Sequence, residues 1–344
     1  MTKRRRKKKE KQIQPNHEYY GDQTKLNEIP EDRITMDPIG YIHTCFPKKN
    51  GSPRQGKLAP TSQGYIKLLA SHAHHLFHGL EEYSHIWVIF WFHKNRVTSS
   101  TKSYMINNSQ DKPDIDQAPA PALSDYVYTK DQRYPPDNVM VRPPLLNGKK
   151  VGVYASRTPH RLVPIGMTMC RIERIEGDTI YLSGVDMVDG TPIIDLKPYI
   201  PKFDSEPDAR TPAWIDNKSD IKTVRFSDEA IDGLRRTIDT VGLRLLANEP
   251  ANSKSGTSFE ERVARVQTLI TEILINEPRS VYRRKKKTHE SWGFFIDTLN
   301  IECQVDPDGV ATVLGVVDTE TYEHQRSLEH ATGNSSNSRE DVVD

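Results

Sequence analysis

The segment from Ser84 to Lys94, SHIWVIFWFHK, restricts the possible folds more than any other part of the chain. In a strand its side chains alternate between two faces, one with Trp87 and Ile89 and the other with Val88 and Phe90, and both faces are apolar. Such a strand is expected to be buried on both sides. Other short apolar runs, broken by Gly and Pro, flank it without long helical patterns between them. The sequence therefore predicts an antiparallel barrel or curled sheet rather than a βαβ fold.

Changes in composition along the chain predict where this domain begins and ends. Residues 34–205 carry the strand pattern, interrupted at about 97–139 by an insertion rich in Ser, Asn, Asp and Pro. Residues 1–33 are polar and basic, and residues 318–344 are polar. Both ends hold too few apolar residues to offset the entropy of ordering, so we expect two disordered tails.

Residues 221–317 combine helical and strand patterns. Ser258 and Glu261 form a capping box, and apolar residues recur after them at helical spacing. The DPDG sequence at Asp306–Gly309 predicts a hairpin turn between two strands. The chain is thus expected to be mainly β, with an antiparallel β-barrel N-terminal domain and a small α+β C-terminal domain.

Several classes of protein are disfavoured by what the sequence contains. The three cysteines are isolated, which argues against a disulfide framework or a zinc finger and fits a reducing compartment. The longest apolar run, Ile86–Phe92, is too short to span a bilayer. His74 and His78 could share one helix face, but they lack partner ligands, so no metal site is expected.

Four polar clusters lie at strand ends or in loops, where a rigid scaffold can hold functional side chains. They are Ser52–Gly56, His93–Asn95, Arg157–Gly166 and Ser183–Pro201. The last two also have a plain structural explanation. Arginines in a Pro- and Gly-rich turn are commonly solvated, and the last cluster can be an edge strand with aspartates that cap turns.

In their order along the chain, these clusters resemble the TrmO family of TsaA-like tRNA methyltransferases. The resemblance covers about Ile34 to Pro201 and is carried by PIGYIHTCFPKKNGSPRQG, GLEEYSHIWVIFWFHKN, VRPPLLNGKKVGVYASRTPHR, PIGMTMCRIERIEG and SGVDMVDGTPIIDLKPYIP. The sequence EPRSVYRRKKKTHESWGFFIDTLN resembles the family's second domain more weakly. Leu162 and Val163 depart from the family's usual RPNPIG.

This resemblance implies a β-barrel that binds S-adenosylmethionine near the boundary of a homodimer. Members of the family methylate N6 of threonylcarbamoyladenosine, next to the anticodon of tRNA. The positions that match the family's cofactor site are Arg54, Gln55, Gly56, His93, Lys94, Arg157, Met167, Asp186, Met187, Val188 and Asp189.

The chemistry of this reaction suggests further roles. A positioned carboxylate would help to remove the N6 proton, and the candidates are Asp189 and Asp195. Candidate substrate ligands are Arg161 and Lys197 for the threonyl carboxylate or a phosphate, Tyr199, and the basic run of Arg283, Arg284 and Lys285 for tRNA phosphates. Tyr282 and Trp292 could stack on bases, although a core position is the commoner fate of such a Trp.

The expected partners are therefore tRNA and a second copy of the chain, without membrane association. A cytoplasmic location is expected, and a nuclear one stays open because the basic run Lys3–Lys9 serves nuclear targeting and RNA attraction equally well. One alternative is a non-catalytic module that binds S-adenosylmethionine or a nucleotide and regulates a partner. Another is a methyltransferase with a different acceptor.

Overall fold

The computed structural model describes residues 36–94, 140–161, 163–246, 258–280, 283–284 and 290–331. The described residues from Asp37 onward belong to one compact unit. Its N-terminal part is a closed barrel with the strand order β1-β2-β7-β6-β3-β8, and every pairing is antiparallel. The six strands are β1 (Gly40–Thr44), β2 (Gln63–Leu68), β3 (His85–Trp91), β6 (Ile165–Glu176), β7 (Thr179–Ser183) and β8 (Thr191–Pro198). The predicted antiparallel barrel is confirmed.

Strand β3 lies between β6 and β8, so that Val88 is opposite both Thr168 and Leu196. Its inward side chains, such as Val88, are buried in the barrel core. The outward side chains of Trp87, Ile89 and Trp91 are only half-buried. The expectation of burial on both faces is thus correct for the inner face alone, because a barrel is one sheet closed on itself and its core lies on one side.

The segment GKKVGVYAS is one of the short apolar runs near β3, but it does not form a strand of the barrel. Only β5 (Val151–Gly152) is extended, and it pairs with β4 (Met140–Val141) in a separate two-stranded sheet. A 3-10 helix, Val153–Ala155, follows. The barrel closes without this segment because β8 pairs with both β1 and β3.

The C-terminal part is a four-stranded sheet packed against helices. The sheet has the order β10-β11-β12-β9, and β9 is parallel to β12. The strands are β9 (Thr223–Phe226), β10 (Trp292–Ile296), β11 (Leu299–Val305) and β12 (Val310–Asp318). The main helices are α3 (Asp228–Thr240) and α4 (Phe259–Ile275), and the predicted capping box at Ser258 and Glu261 is present at the start of α4. Its apolar positions form part of the core: Val263, Val266, Leu269, Ile270, Ile273 and Leu274.

Helix α5 (Thr319–Ala331) lies in the stretch expected to be a disordered tail. Asp318 Oδ1 accepts from the N–H of Thr321 at 2.8 Å, and Tyr322 packs edge-on against Phe295 at 5.5 Å. A cap and an aromatic contact with the sheet therefore order a segment whose composition is polar.

The remaining helical segments are short. They are α1 (Ala73–Leu76), α2 (Pro201–Asp204) and the 3-10 helices Gly56–Leu58, Leu80–Glu82, Pro144–Leu146 and Ala213–Asp216. Within the described ranges, no helix has the length and apolar character needed to cross a membrane.

Hydrogen bonds join the barrel to the C-terminal part. The N–H of Asp297 donates to the carbonyl of Cys45 at 2.7 Å, and Asn276 Nδ2 donates to the carbonyl of Leu58 at 3.0 Å. Glu272 accepts from the N–H of Thr61 at 3.1 Å. These contacts place the C-terminal part beside the loop that carries residues 54–57.

Candidate active site

The loop after β1 and the turn before β8 meet at Gly56 and Asp186. A Cβ added to Gly56 would lie 2.0 Å from the carbonyl oxygen of Gly184, so only glycine allows this approach of the two backbones. The backbone of Gly56 and the hydroxyl of Thr168 lie close enough to the carboxylate of Asp186 to oppose the rise in its pKa. Thr168 is an inward residue of β6, so the turn lies beside both the loop and the barrel wall.

Asp186 keeps one polar atom without a partner. Its Oδ1 is buried and accepts no hydrogen bond from any described group. Burial raises the pKa of Asp186 from 3.8 to about 6, and the opposing effects of Thr168, Gly56 and Arg157 only partly offset this rise. A buried carboxylate oxygen without a donor is a cost to the fold that a bound ligand can remove.

Gln55 and Arg157 extend this group of residues. Arg157 Nη1 donates to Gln55 Oε1 at 2.6 Å, and Arg157 acts electrostatically on Asp186. The structure therefore brings together Gln55, Gly56, Arg157 and Asp186, which come from three separate clusters of the sequence. We call these four residues the donor loop site.

The side chain of Arg54 points away from the donor loop site. Its Nη2 donates to the carbonyl of Arg279 at 3.4 Å, in the segment that follows α4. Arg279 itself forms a buried bidentate pair with Glu277, at 2.7 and 2.8 Å. Arg54 thus contacts the C-terminal part, whereas its neighbour Gln55 contacts Arg157.

A second group forms around Asp189, at the other end of the same turn. Asp189 Oδ1 accepts from the N–H of Thr44 at 2.9 Å, and Oδ2 lies 3.3 Å from Arg244 Nη2. His43 Nδ1 is 3.7 Å from Oδ1, and burial lowers the pKa of His43 despite the attraction of Asp189. Both carboxylate oxygens are therefore engaged, which favours a positioning role for Asp189 over that of a free base.

Arg244 was not predicted from the sequence. It follows α3, and Asp297 fixes its backbone because Asp297 Oδ1 accepts from the N–H of Arg244 at 2.8 Å. Its guanidinium also donates to the carbonyl of Thr44 at 3.2 Å. No local motif marks this arginine, since its position depends on how the C-terminal sheet docks against β1.

Lysines 94 and 49 complete the second group. Lys94 Nζ donates to the carbonyl of Asp189 at 3.4 Å. Burial and then the charge of Lys94 lower the pKa of Lys49, and burial also lowers that of Lys94. Burial, Lys94 and Lys49 together lower the pKa of His93 to about 4, so His93 is neutral near pH 7. We call Lys49, Lys94, Arg244 and Asp189 the cationic group.

Met187 and Val188, the other residues of the turn, contact their neighbours through backbone carbonyls, and Met167 lies on a different face of the barrel. The carbonyl of Met187 accepts from Thr44 Oγ1 at 2.9 Å while its side chain is buried, and the carbonyl of Val188 accepts from Thr191 Oγ1 at 2.6 Å. Met167 pairs with Ile89 and is 51% exposed on the outer surface of the barrel, so its side chain is directed away from Asp186.

Asp195, Lys197 and Tyr199 lie apart from both groups. Asp195 and Lys197 are opposite Ile89 and Trp87 on the outer face of the barrel, and Lys197 Nζ is 2.8 Å from Asp195 Oδ2. The ring of Tyr199 packs edge-on against Trp87 at 5.7 Å. The two candidate bases, Asp189 and Asp195, are thus not neighbours.

The candidate substrate arginines have partners within the protein. Arg161 Nη1 donates to the carbonyl of Ser156 at 2.8 Å and braces its own turn. Arg284 Nη2 donates to the carbonyl of Pro144 at 2.8 Å, and Nη1 lies 3.2 Å from Asp220 Oδ2. The N–H of Arg283 donates to Ser280 Oγ at 3.2 Å.

Trp292 is buried and stacks on Phe294 at 5.3 Å, so the expectation that it stacks on bases is wrong. Its indole belongs to the core of the C-terminal sheet, the commoner place for a Trp in a strand. Lys285, Tyr282, Leu162 and Asn95 lie outside the described residues.

Comparison with known proteins shows which family the chain belongs to. A family model described as the tRNA-methyltransferase O N-terminal domain matches residues 41–113 and 123–205. RcsF of Pseudomonas aeruginosa, named as a candidate S-adenosylmethionine-dependent methyltransferase, is 32% identical over 252 residues, which are 73% of this chain and 84% of RcsF. The chain belongs to the TrmO family. The match to the family model breaks only between residues 113 and 123, inside the interval 97–139 that we expected to be an insertion.

Two further comparisons agree with this assignment. A crystal structure of TrmO from P. aeruginosa covers 85% of this chain and 100% of its own, with a TM-score of 0.55 and 26% identity. The tRNA (adenine(37)-N6)-methyltransferase of Mus musculus is 38% identical over 175 residues, 50% of this chain. The match spans only 32% of that longer mouse protein.

Proposed function

We propose that this chain transfers a methyl group from S-adenosylmethionine to N6 of adenosine 37 in tRNA, when that base carries a threonylcarbamoyl group. Membership of the TrmO family supports this proposal, as do the names of relatives such as the mouse enzyme. The observation that carries it is the convergence of Gln55, Gly56, Arg157 and Asp186 in the donor loop site.

The donor loop site fits S-adenosylmethionine chemically. When bound, this group supplies a methyl on a sulfonium cation. The unpartnered Oδ1 of Asp186 can accept a hydrogen bond from a hydroxyl or ammonium group of the donor, and its negative charge favours a cationic ligand. Because Gly56 has no side chain, its backbone can approach a ligand closely. Gln55 and Arg157 hold each other and thereby fix the loop.

The cationic group suits the anionic part of the substrate. Arg244 and Lys94 both lie beside one carboxylate, Asp189, and Lys49 lies near enough to Lys94 to feel its charge, so positive charge is in excess. We infer that this group, rather than Arg161 and Lys197, binds the threonyl carboxylate, because Arg244 and Lys94 share the single carboxylate of Asp189. Lys197, in contrast, is paired one-to-one with Asp195, and Arg161 braces its own turn at Ser156. Asp189 then positions the cations, and His93 offers a neutral ring nitrogen beside them.

The direct test is transfer of a labelled methyl group to purified tRNA, with and without prior threonylcarbamoylation. The proposal predicts incorporation at adenosine 37 that depends on the threonylcarbamoyl group. Equal labelling of both tRNAs would retain adenine methylation and remove the role of the threonyl carboxylate. Binding of the donor without any transfer would instead support a regulatory module.

The proposed assembly is a homodimer in the cytoplasm. The outer face of β3 supports the dimer, because Trp87, Ile89 and Trp91 are half-buried there and Met167 beside them is exposed. Light scattering of the purified chain would give a dimer mass, and Trp91→Glu would shift the mass to that of a monomer. A monomeric wild-type protein would remove this part of the proposal.

A further inference from the structure

A cavity of about 220 Å³ lies between the barrel and the C-terminal part, next to the donor loop site. Four chain segments meet there: the loop that carries Arg54, the turn at 144–147, the segment 217–220 and the segment 277–284. Arg54 comes directly before Gln55 and Gly56. A group bound in the cavity would therefore be adjacent to the loop that holds the donor.

The side chains that line the cavity carry more positive charge than the nearby carboxylates neutralise. Glu277 is held by Arg279 at 2.7 Å, and Asp220 is held by Arg284 at 3.2 Å. The other two charged side chains of the lining are Arg54 and Lys218, and neither forms an ion pair with a described carboxylate. Two cations are thus left for an external anion.

The cavity also has hydrogen-bond donors that the described residues do not satisfy. Arg284 Nε is buried and has no acceptor among them. Arg54 donates only a long bond of 3.4 Å to the carbonyl of Arg279. A buried donor without an acceptor costs free energy, and guanidinium groups suit the oxygens of a phosphate.

We propose that this cavity binds one phosphate of the tRNA backbone, and that Arg54 is a ligand of RNA rather than of the donor. The inference rests on the proposed function in taking tRNA as the partner. Arg54 matches the family's cofactor loop, yet its guanidinium contacts Arg279, whereas Gln55 contacts Arg157. In the segment 54–56, Gln55 and Gly56 thus belong to the site for the methyl donor, and Arg54 belongs to the site for the RNA phosphate.

The test measures two affinities for each variant of the full chain. Arg54→Gln and Lys218→Gln each remove one cation from an exposed position, and Lys222→Gln is the matched control because Lys222 is exposed and does not line the cavity. Filter binding of threonylcarbamoylated tRNA at several salt concentrations gives the affinity and its salt dependence. Calorimetry gives the affinity for S-adenosylmethionine, and thermal unfolding checks that each variant is folded.

We expect both variants to bind tRNA roughly ten-fold more weakly than the control, because each loses a charge-assisted contact. The slope of log affinity against log salt should fall in magnitude by about 0.7 to 0.9 for the lost phosphate. Affinity for the donor should not change.

Unchanged tRNA affinity in both variants would overturn the phosphate site and leave the proposed function standing. The same conclusion would follow if Arg54→Gln lost affinity for the donor while it still bound tRNA normally. A wild-type protein that binds the donor but no tRNA would overturn the proposed function together with this inference.

Discussion

Asp186→Asn should make the stability of the protein less dependent on pH. In the wild type, burial raises the pKa of Asp186 from 3.8 to about 6. The folded state therefore binds a proton more tightly than the unfolded state does. The contribution of Asp186 to the free energy of unfolding is greatest at low pH. This contribution falls as the pH rises through the folded pKa, because above about pH 6 the native state holds a buried, ionised carboxylate. Asparagine has no such titration.

The size of the effect follows from the two pKa values. Between about pH 5 and about pH 8 the wild type should lose about 1.4 kcal/mol of unfolding free energy that Asp186→Asn does not lose. Any cost of the amide's own unsatisfied donor is the same at both pH values, so it cancels from this difference. The pH dependence is therefore a cleaner measure than the stability at one pH.

Urea unfolding of both proteins without ligand at the two pH values measures this difference. Asp216→Asn is the matched control, because Asp216 is exposed and should keep the wild-type trend. Parallel changes in wild type and Asp186→Asn would refute the reasoning, since they would mean that the Asp186 carboxylate is not desolvated.

Three further substitutions test other parts of the structure. Arg244→Gln should raise the KM for threonylcarbamoylated tRNA roughly ten-fold in steady-state assays and leave the KM for the donor unchanged, since it removes a cation from the proposed carboxylate site. An equal loss of affinity for unmodified tRNA in filter binding would contradict this. Gly56→Ala should destabilise the fold by about 1–3 kcal/mol in urea unfolding because its Cβ would overlap the carbonyl of Gly184. Gly152→Ala is the control, because the new Cβ has open space around it, and it should change stability by less than about 0.5 kcal/mol. Equal destabilisation by Gly56→Ala and Gly152→Ala would exclude a close contact at Gly56. Glu277→Gln should cost about 3–5 kcal/mol because it leaves the buried guanidinium of Arg279 uncompensated, and an unchanged thermal midpoint would show that the pair is dispensable.

Features fixed by neighbouring residues could be predicted from the sequence. The alternation in β3, the hairpin turn at Asp306–Gly309 and the capping box at Ser258 each depend on a few adjacent side chains, and each is present. The resemblance to the TrmO family, carried by the ordered clusters, placed Gln55, Gly56, Arg157 and Asp186 in one hypothesis. Helix α5 was missed because a polar composition does not reveal the docking of Tyr322 on Phe295.

The cationic group and the direction of Arg54 could not be predicted in this way. Arg244 reaches Asp189 only because Asp297 holds its backbone and the C-terminal sheet docks against Cys45. Arg54 and Gln55 are adjacent in sequence but contact different parts of the protein, Arg279 and Arg157. Such contacts depend on long-range packing, which a pattern of residue types does not specify.

Calorimetric titration of S-adenosylmethionine into the wild type, Asp186→Asn and Asp216→Asn tests the donor loop site most directly. We predict that the wild type and Asp216→Asn bind the donor with equal affinity. Asp186→Asn should bind at least about ten-fold more weakly, because a charge-assisted hydrogen bond is lost. No heat of binding in the wild type, or equal affinity in all three proteins, would contradict the assignment of this site to the methyl donor.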